Sequence, residues 1–203
     1  MNEIKVNLEN LNEQERQQLL AIINKANRTT VKLSDIKVGE TFKIGDITFI
    51  KMSENDGVTN VVTKDSVFKS VFGKDNNFKT STVFDKLNNE FLPKIAEIVG
   101  FENIHNVTTD LTTLDGLKGY GNMTSKITLP TLDYYRKKAD IFRKYNLSCW
   151  WWLATAWSDK ENSSCVLCVS PSGYVGNGSC ISSINGVRPF LRFVSSISVS
   201  PDN

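Results

Sequence analysis

Apolar and polar positions along this chain of 203 residues change period from one stretch to the next, and each change predicts an element. Residues 8–27 carry helical spacing, with Leu19, Ile22, Ile23 and Ala26 on one face. Asn10 with Glu13 fits a variant of the capping box at its start. The first half, Asn12 to Gln18, is wholly polar, so only the second half offers a stripe for packing. A stripe this narrow suits a helix docked on its own domain, and equally a protruding helix that pairs with a second copy or a protein partner. Residues 27–30 read as a linker, which divides the chain into an N-terminal helix (1–30) and a main domain (31–203).

Period two then takes over. Thr41-Phe42-Lys43-Ile44 alternates, Gly45-Asp46 turns, and Ile47 to Met52 continues as a second strand. Glu54-Asn55-Asp56-Gly57 supplies another turn and Val58 to Thr63 a third strand, giving a β-meander. Over 81–99 the period returns to helical, with Val83, Leu87, Phe91 and Ile95 behind a cap at Ser81 or Thr82. Pro93 predicts a break or kink near Phe91–Leu92. Residues 101–126, rich in Asn, Thr and Gly, read as a long irregular connection. Leu129-Pro130-Thr131 leads into a helix over 132–144 with Tyr135, Ala139 and Phe142 inward. The last stretch is β: strands at 150–156 and 164–170, a tight turn at Pro171-Ser172-Gly173, and a final long strand from Val187 to Phe193. Pro189 inside that strand calls for an edge position or a bulge.

The run Cys149-Trp150-Trp151-Trp152-Leu153 adds weight to the core. Each indole buries ~200 Å², worth ~5 kcal/mol gross at ~25 cal/mol per Å². Alternation places Trp150 and Trp152 on one face and Trp151 on the other, which makes Trp151 the candidate for exposure. Hydrophobic content of 40% supports a sizeable core. The net charge of +2, with both signs interspersed, leaves no basic stripe, so a nucleic-acid partner is not expected. No apolar run reaches the ~18 residues of a membrane helix. Met1 to Lys5 lack a basic segment followed by an apolar stretch, so the expectation is no secretory signal and a cytoplasmic location.

Candidate chemistry is thin. Cys165 and Cys168 have CxxC spacing, yet Val166, Leu167 and Val169 read as a strand, where positions i and i+3 face opposite ways. With Cys149 and Cys180 a four-thiolate site is conceivable, but small buried thiols are the favoured reading, with no metal and no cofactor. The single histidine, His105, reads as a surface residue. Asp133 and Asp140 share a helix face, and one of them is a candidate to neutralise Arg188 if that arginine is buried. Gly116, Gly119 and Gly121 precede no lysine-serine pair at a helix start, so no phosphate loop is read there.

Five motifs occur in order: Leu87-Asn88-Asn89-Glu90-Phe91-Leu92, Leu129-Pro130-Thr131-Leu132-Asp133, Trp150-Trp151-Trp152-Leu153, Ser170-Pro171-Ser172-Gly173 and Gly186-Val187-Arg188-Pro189. Over residues 31–195 the chain thereby resembles a family of uncharacterised domains common in phages, prophages and low-GC Gram-positive bacteria. That family is similar to the C-type-lectin-like fold of the formylglycine-generating-enzyme branch. The resemblance implies an α+β class, with a C-type-lectin-like mixed sheet, flanking helices and the N-terminal helix ahead of it. It implies a scaffold and no particular reaction, and the cysteine arrangement of the formylglycine-generating enzymes does not map onto the four cysteines here.

The functional expectation is therefore a surface. Trp157, Asp159, Asn162, Tyr174, Asn177 and Asn185 mix aromatic anchors with hydrogen-bonding residues in and beside the C-terminal loops, a composition suited to adaptable contacts. The first reading is a non-enzymatic, phage- or prophage-encoded binding module that recognises a protein or a small polar ligand. The helix would serve contact with a protein partner or homo-oligomer assembly. The alternatives are a phage inhibitor of a host defence protein and an enzyme using Cys149 or Cys165.

Overall fold

The structure is a computed structural model that describes residues 11–26, 30–160 and 163–202. The chain divides into two units, Met1–Thr30 and Val31–Asn203. In the first, α1 (Glu13–Ala26) opens on a reciprocal cap. Asn12 Oδ1 accepts from the Glu15 amide at 3.0 Å, and Glu15 Oε2 accepts from the Asn12 amide at 2.9 Å. The box therefore closes two residues later than the sequence pattern placed it; Asn10 lies outside the described residues, as do the side chains of Ile22, Ile23 and Ala26.

The second unit is α+β, and most of its strands run antiparallel. Its larger sheet comprises β1 (Val31–Lys32), β2 (Thr41–Ile44), β3 (Ile47–Asn55), β4 (Val58–Thr63), β6 (Ile104–His105), β9 (Ile127–Thr128), β14 (Phe190–Val194) and β15 (Ser198–Pro201). The order is β1-β15-β2-β3-β4-β14, with β6 and β9 sharing the far edge of β14. The smaller sheet runs β12 (Val175–Ser179), β11 (Cys165–Val169), β10 (Trp151–Ala156), β13 (Gly186–Val187), β5 (Phe68–Lys69). A two-stranded ribbon, β7 (Val107–Asp110) with β8 (Asn122–Ser125), stands beside them.

The meander forms as its alternation requires. Asp56 and Gly57, both at positive φ (50° and 73°), close the β3–β4 hairpin with the primed turn that matches strand twist. Inward residues Phe42, Phe49 and Phe193 meet across β2, β3 and β14, the first pair stacked at 5.8 Å between centroids and the second edge-on at 5.9 Å. The helical stretch over 81–99 begins at Ser81, whose Oγ accepts from the Phe84 amide at 3.0 Å. It splits into α2 (Thr82–Lys86), a widened turn Leu87–Phe91, and α3 (Leu92–Val99). Pro93 has no amide hydrogen and its ring would collide with the Asn89 carbonyl. The turn widens so that the Leu92 amide reaches back five residues to Leu87 O.

Elsewhere the structure departs from the sequence expectation. Residues 101–126 are not irregular throughout, because Val107-Thr108-Thr109-Asp110 alternates inward and outward and pairs with Asn122–Ser125. The helix over 132–144 is interrupted at Lys138 (φ −120°), giving α4 (Leu132–Lys137) and α5 (Ala139–Lys144). The expected strand 187–193 is two strands in two sheets. Arg188 and Pro189 make the corner between them, fixed to Thr63 by Arg188 Nε→Thr63 O (2.7 Å) and Thr63 N→Pro189 O (3.2 Å). Proline suits this crossover because no ladder bond is asked of its nitrogen.

Trp151 and Trp152 are both fully buried, one on each face of β10. Trp151 lies under α4 and α5, 5.5 Å from Phe142 and 5.8 Å from Tyr135. Trp152 faces the other apolar layer, against Phe72 at 5.6 Å, and its indole nitrogen donates to Ser70 O at 3.0 Å. The expectation that Trp151 would be the exposed indole fails because this sheet is covered on both faces. Trp150, just ahead of the strand, is the half-exposed one.

Candidate functional site

The expected ligand-binding residues do not converge. Trp157 and Asp159 follow β10 at one end of β11, and Tyr174 precedes β12 at the other. Five residues of strand at ~3.3 Å per residue hold those ends roughly 16 Å apart. Trp157 is half-buried against the core layer around Trp151. Asp159 is turned toward its own scaffold, where Oδ2 accepts from the Gly119 amide. Asn177 is exposed on β12, whereas Asn185 is only 4% exposed. Asn162 lies outside the described residues.

A cleft of about 300 Å³ instead opens between the ribbon and α4. β7 forms one wall, the segment Thr128–Thr131 with the first turn of α4 forms the other, and Phe190 of β14 lies between them. Each part follows from local chemistry. Thr131 Oγ1 accepts from the Tyr134 amide at 3.2 Å, so α4 starts at a capped end. That start is pinned to the smaller sheet by Leu132 N→Thr155 Oγ1 (2.9 Å) and Ala154 N→Pro130 O (2.9 Å). Tyr134 then turns its ring edge-on to Phe190, centroids 4.8 Å apart. Across the cleft, Thr109 Oγ1 donates to Thr128 Oγ1 at 3.0 Å and ties the ribbon to the opposite wall.

Two further hollows, of about 290 and 230 Å³, adjoin this one, and all three are lined by Asp110. Asp110 is exposed, and its Oδ1 accepts from the Thr112 hydroxyl (2.6 Å) and the Thr112 amide (2.9 Å). Those bonds from Thr112 hold the carboxyl below its usual range, so it stays anionic. Asp133, Lys137, Arg136 and Lys118 complete the charged rim of the three hollows, with Asp133 and Arg136 3.6 Å apart. Burial pushes the Tyr134 phenol up to about 12, opposed by the Ser53 hydroxyl. It therefore enters the site as a neutral ring rather than a base. The cleft can bind an apolar group through Tyr134, Leu129 and Phe190 and present a fixed negative charge beside it.

Sequence reading passed over Asp110, Tyr134 and Lys137. The available signal was the period-two run Val107-Thr108-Thr109-Asp110, which marks a strand with an outward carboxylate at its end.

The other candidates also find their places. Arg188 is fully buried, but neither Asp133 nor Asp140 neutralises it, since both are exposed. Its guanidinium lies between the Phe142 and Trp151 rings, 5.4 and 5.3 Å from their centroids. Desolvation lowers its pKa to about 10, with Asp65 opposing. Burial pushes the Cys168 thiol up to about 12 and raises that of Cys180. His105 sits on β6 in the larger sheet, while Cys165 and Cys168 belong to β11 in the smaller one. Among the described residues, no group of three His, Cys, Asp or Glu side chains is placed to hold a metal ion. No described helix is long and apolar enough to cross a membrane. No protein-family model matches this chain, and neither a curated protein nor a solved structure matches it.

Proposed function

We propose that this chain is a non-enzymatic binding module of C-type-lectin-like architecture whose ligand seats in the cleft centred on Asp110. The observation that carries the reading is the meeting of three hollows at one anchored carboxylate, beside an apolar floor of Leu129, Tyr134 and Phe190. A cleft of about 300 Å³ suits one or two side chains of a protein partner, or one small molecule. The chemistry favours a compact apolar group that carries a positive charge, such as an aromatic residue of a partner next to lysine or arginine. The lectin-like architecture rests on the five sequence motifs. Two of them fall at joints of the unit: the tryptophan run fills both faces of β10, and Gly186–Pro189 forms the crossover between sheets.

The test is a nuclear magnetic resonance titration with 2-phenylethylamine, the smallest probe with both properties. Amide shifts should cluster at Thr108, Asp110, Thr131 and Tyr134, and Asp110→Asn should weaken binding about tenfold, the worth of one charge-assisted contact. Shifts that map elsewhere, or equal affinity in the variant, overturn the assignment.

A further inference from the structure

The outer edge of β12 is a pairing surface, and we propose that a second copy of this chain occupies it, strand against strand. Two bonds fix which backbone groups face inward: Ser170 N→Tyr174 O at 2.9 Å and Cys180 N→Ser164 O at 2.8 Å bracket the β11–β12 hairpin. Antiparallel alternation between them turns Gly176 and Gly178 toward β11 and leaves the N–H and C=O of Val175 and Asn177 pointing away. No described strand lies beyond them, because β12 ends the sheet.

Edges of this kind are ordinarily protected by shortness, charge, proline or a bulge. The other outer strands of the two larger sheets follow that rule: β1, β5 and β6 are two residues long, and β1 and β5 carry Lys32 and Lys69. β12 is five residues long, has no proline, and keeps an unbroken register with β11. From Asn162 to Val187 the chain has no Lys, Arg, Asp or Glu, although 23% of all residues are charged. In sequence, Tyr174 immediately precedes the strand and Ile181 and Ile184 follow it, and they are 58%, 71% and 67% exposed.

These features specify the occupant. Unpaired main-chain donors and acceptors select an extended strand, and a strand without charged side chains of its own makes no demand for an oppositely charged partner. Two identical edges meet without repulsion. An antiparallel pair related by a two-fold axis at Asn177 lets the two Asn177 residues exchange both main-chain bonds and sets Val175 opposite Ser179 of the second copy. The two five-stranded sheets then become one.

Sedimentation equilibrium of the full chain tests this. Asn177→Pro deletes an amide that the β11 ladder does not use, so the fold should survive while the edge is blocked. The chain should be dimeric at about 100 µM, with dimer dissociation at least tenfold weaker in Asn177→Pro. Asn177→Lys, which places like charges opposite each other, should have the same effect if the proline variant fails to fold. A monomer at about 1 mM, or a dimer that both folded variants leave intact, overturns the proposal.

Discussion

Arg188 shows how one residue can organise a fold at a cost to it. Its terminal nitrogens are buried without an acceptor among the described residues, so Nε→Thr63 O and two aromatic rings must compensate the loss of water. Folding lowers the pKa of this cation, so the charged form opposes folding below about pH 10, and the opposition fades as pH rises above that value. A depression of that size corresponds to about 3 kcal/mol. A bond from a charged donor contributes about 1.5–3 kcal/mol, so the terms nearly cancel. Arg188→Met, which fills the space without charge, should change unfolding free energy by less than about 2 kcal/mol in a urea titration, whereas Arg188→Ala should cost about 3–5 kcal/mol through its cavity. A large loss for the methionine variant would show that the charge itself holds the corner. The thiols give a second expectation. Burial raises both Cys168 and Cys180, so neither should react with a thiol reagent at pH 8 until the chain is unfolded. Prompt labelling of Cys168 in the native protein contradicts this.

At the scale of elements, the tryptophan run and the glycines of β12 are one device. A Cβ on Gly176 would meet the Trp150 ring at 3.1 Å, and one on Gly178 would meet the Trp152 ring at 3.2 Å. The strand is glycine-rich because indole rings lie across it. The two positions should differ on substitution, however. Trp152 is fully buried, held by Phe72 and by its bond to Ser70 O, so it has nowhere to move. Trp150 is half-exposed, and Tyr174 is its one ring partner among the described residues. Gly178→Ala should therefore cost about 1–3 kcal/mol in thermal or chemical unfolding and Gly176→Ala clearly less. Equal costs would mean that Trp150 is held as firmly as its neighbour. At the helix over 81–99, Pro93 requires a disturbance near Phe91. The remedy, a widened turn rather than a break, depended on buried Leu87, Phe91 and Ile95 keeping to the core.

For the whole molecule, acid is the informative variable. Asp202 joins the end of β15 to the start of the meander through Lys43 at 3.1 Å and Thr41 at 3.0 Å. The hydrogen bond from Lys43, with those from Thr41 and Lys64, lowers its pKa. A carboxylate depressed in the fold stabilises above its unfolded pKa and loses that contribution as pH falls through the folded one. Unfolding midpoints should thus drop below about pH 4, and Asp202→Asn should flatten that drop while lowering stability at neutral pH. Lys43 and Lys64 are 44% and 39% exposed, so salt should reduce the effect. An unchanged acid profile in the variant would remove Asp202 from the account.

Local pattern by itself determined the meander, the cap at Ser81 and the proline disturbance. Each depends on neighbours within a few residues, through side-chain alternation or amide satisfaction. The α+β class came with the resemblance carried by the five motifs. Tertiary structure decided everything that depends on which face is covered and by what. Trp151 is buried because α4 and α5 lie over it, and residues 187–193 change sheets because Arg188 finds Thr63. The Asp110 cleft draws on the ribbon, α4 and β14, elements up to about eighty residues apart in sequence, and no local period encodes their meeting. The expected loop residues failed to gather for the converse reason: neighbours in sequence on either side of a strand are carried to opposite ends of it.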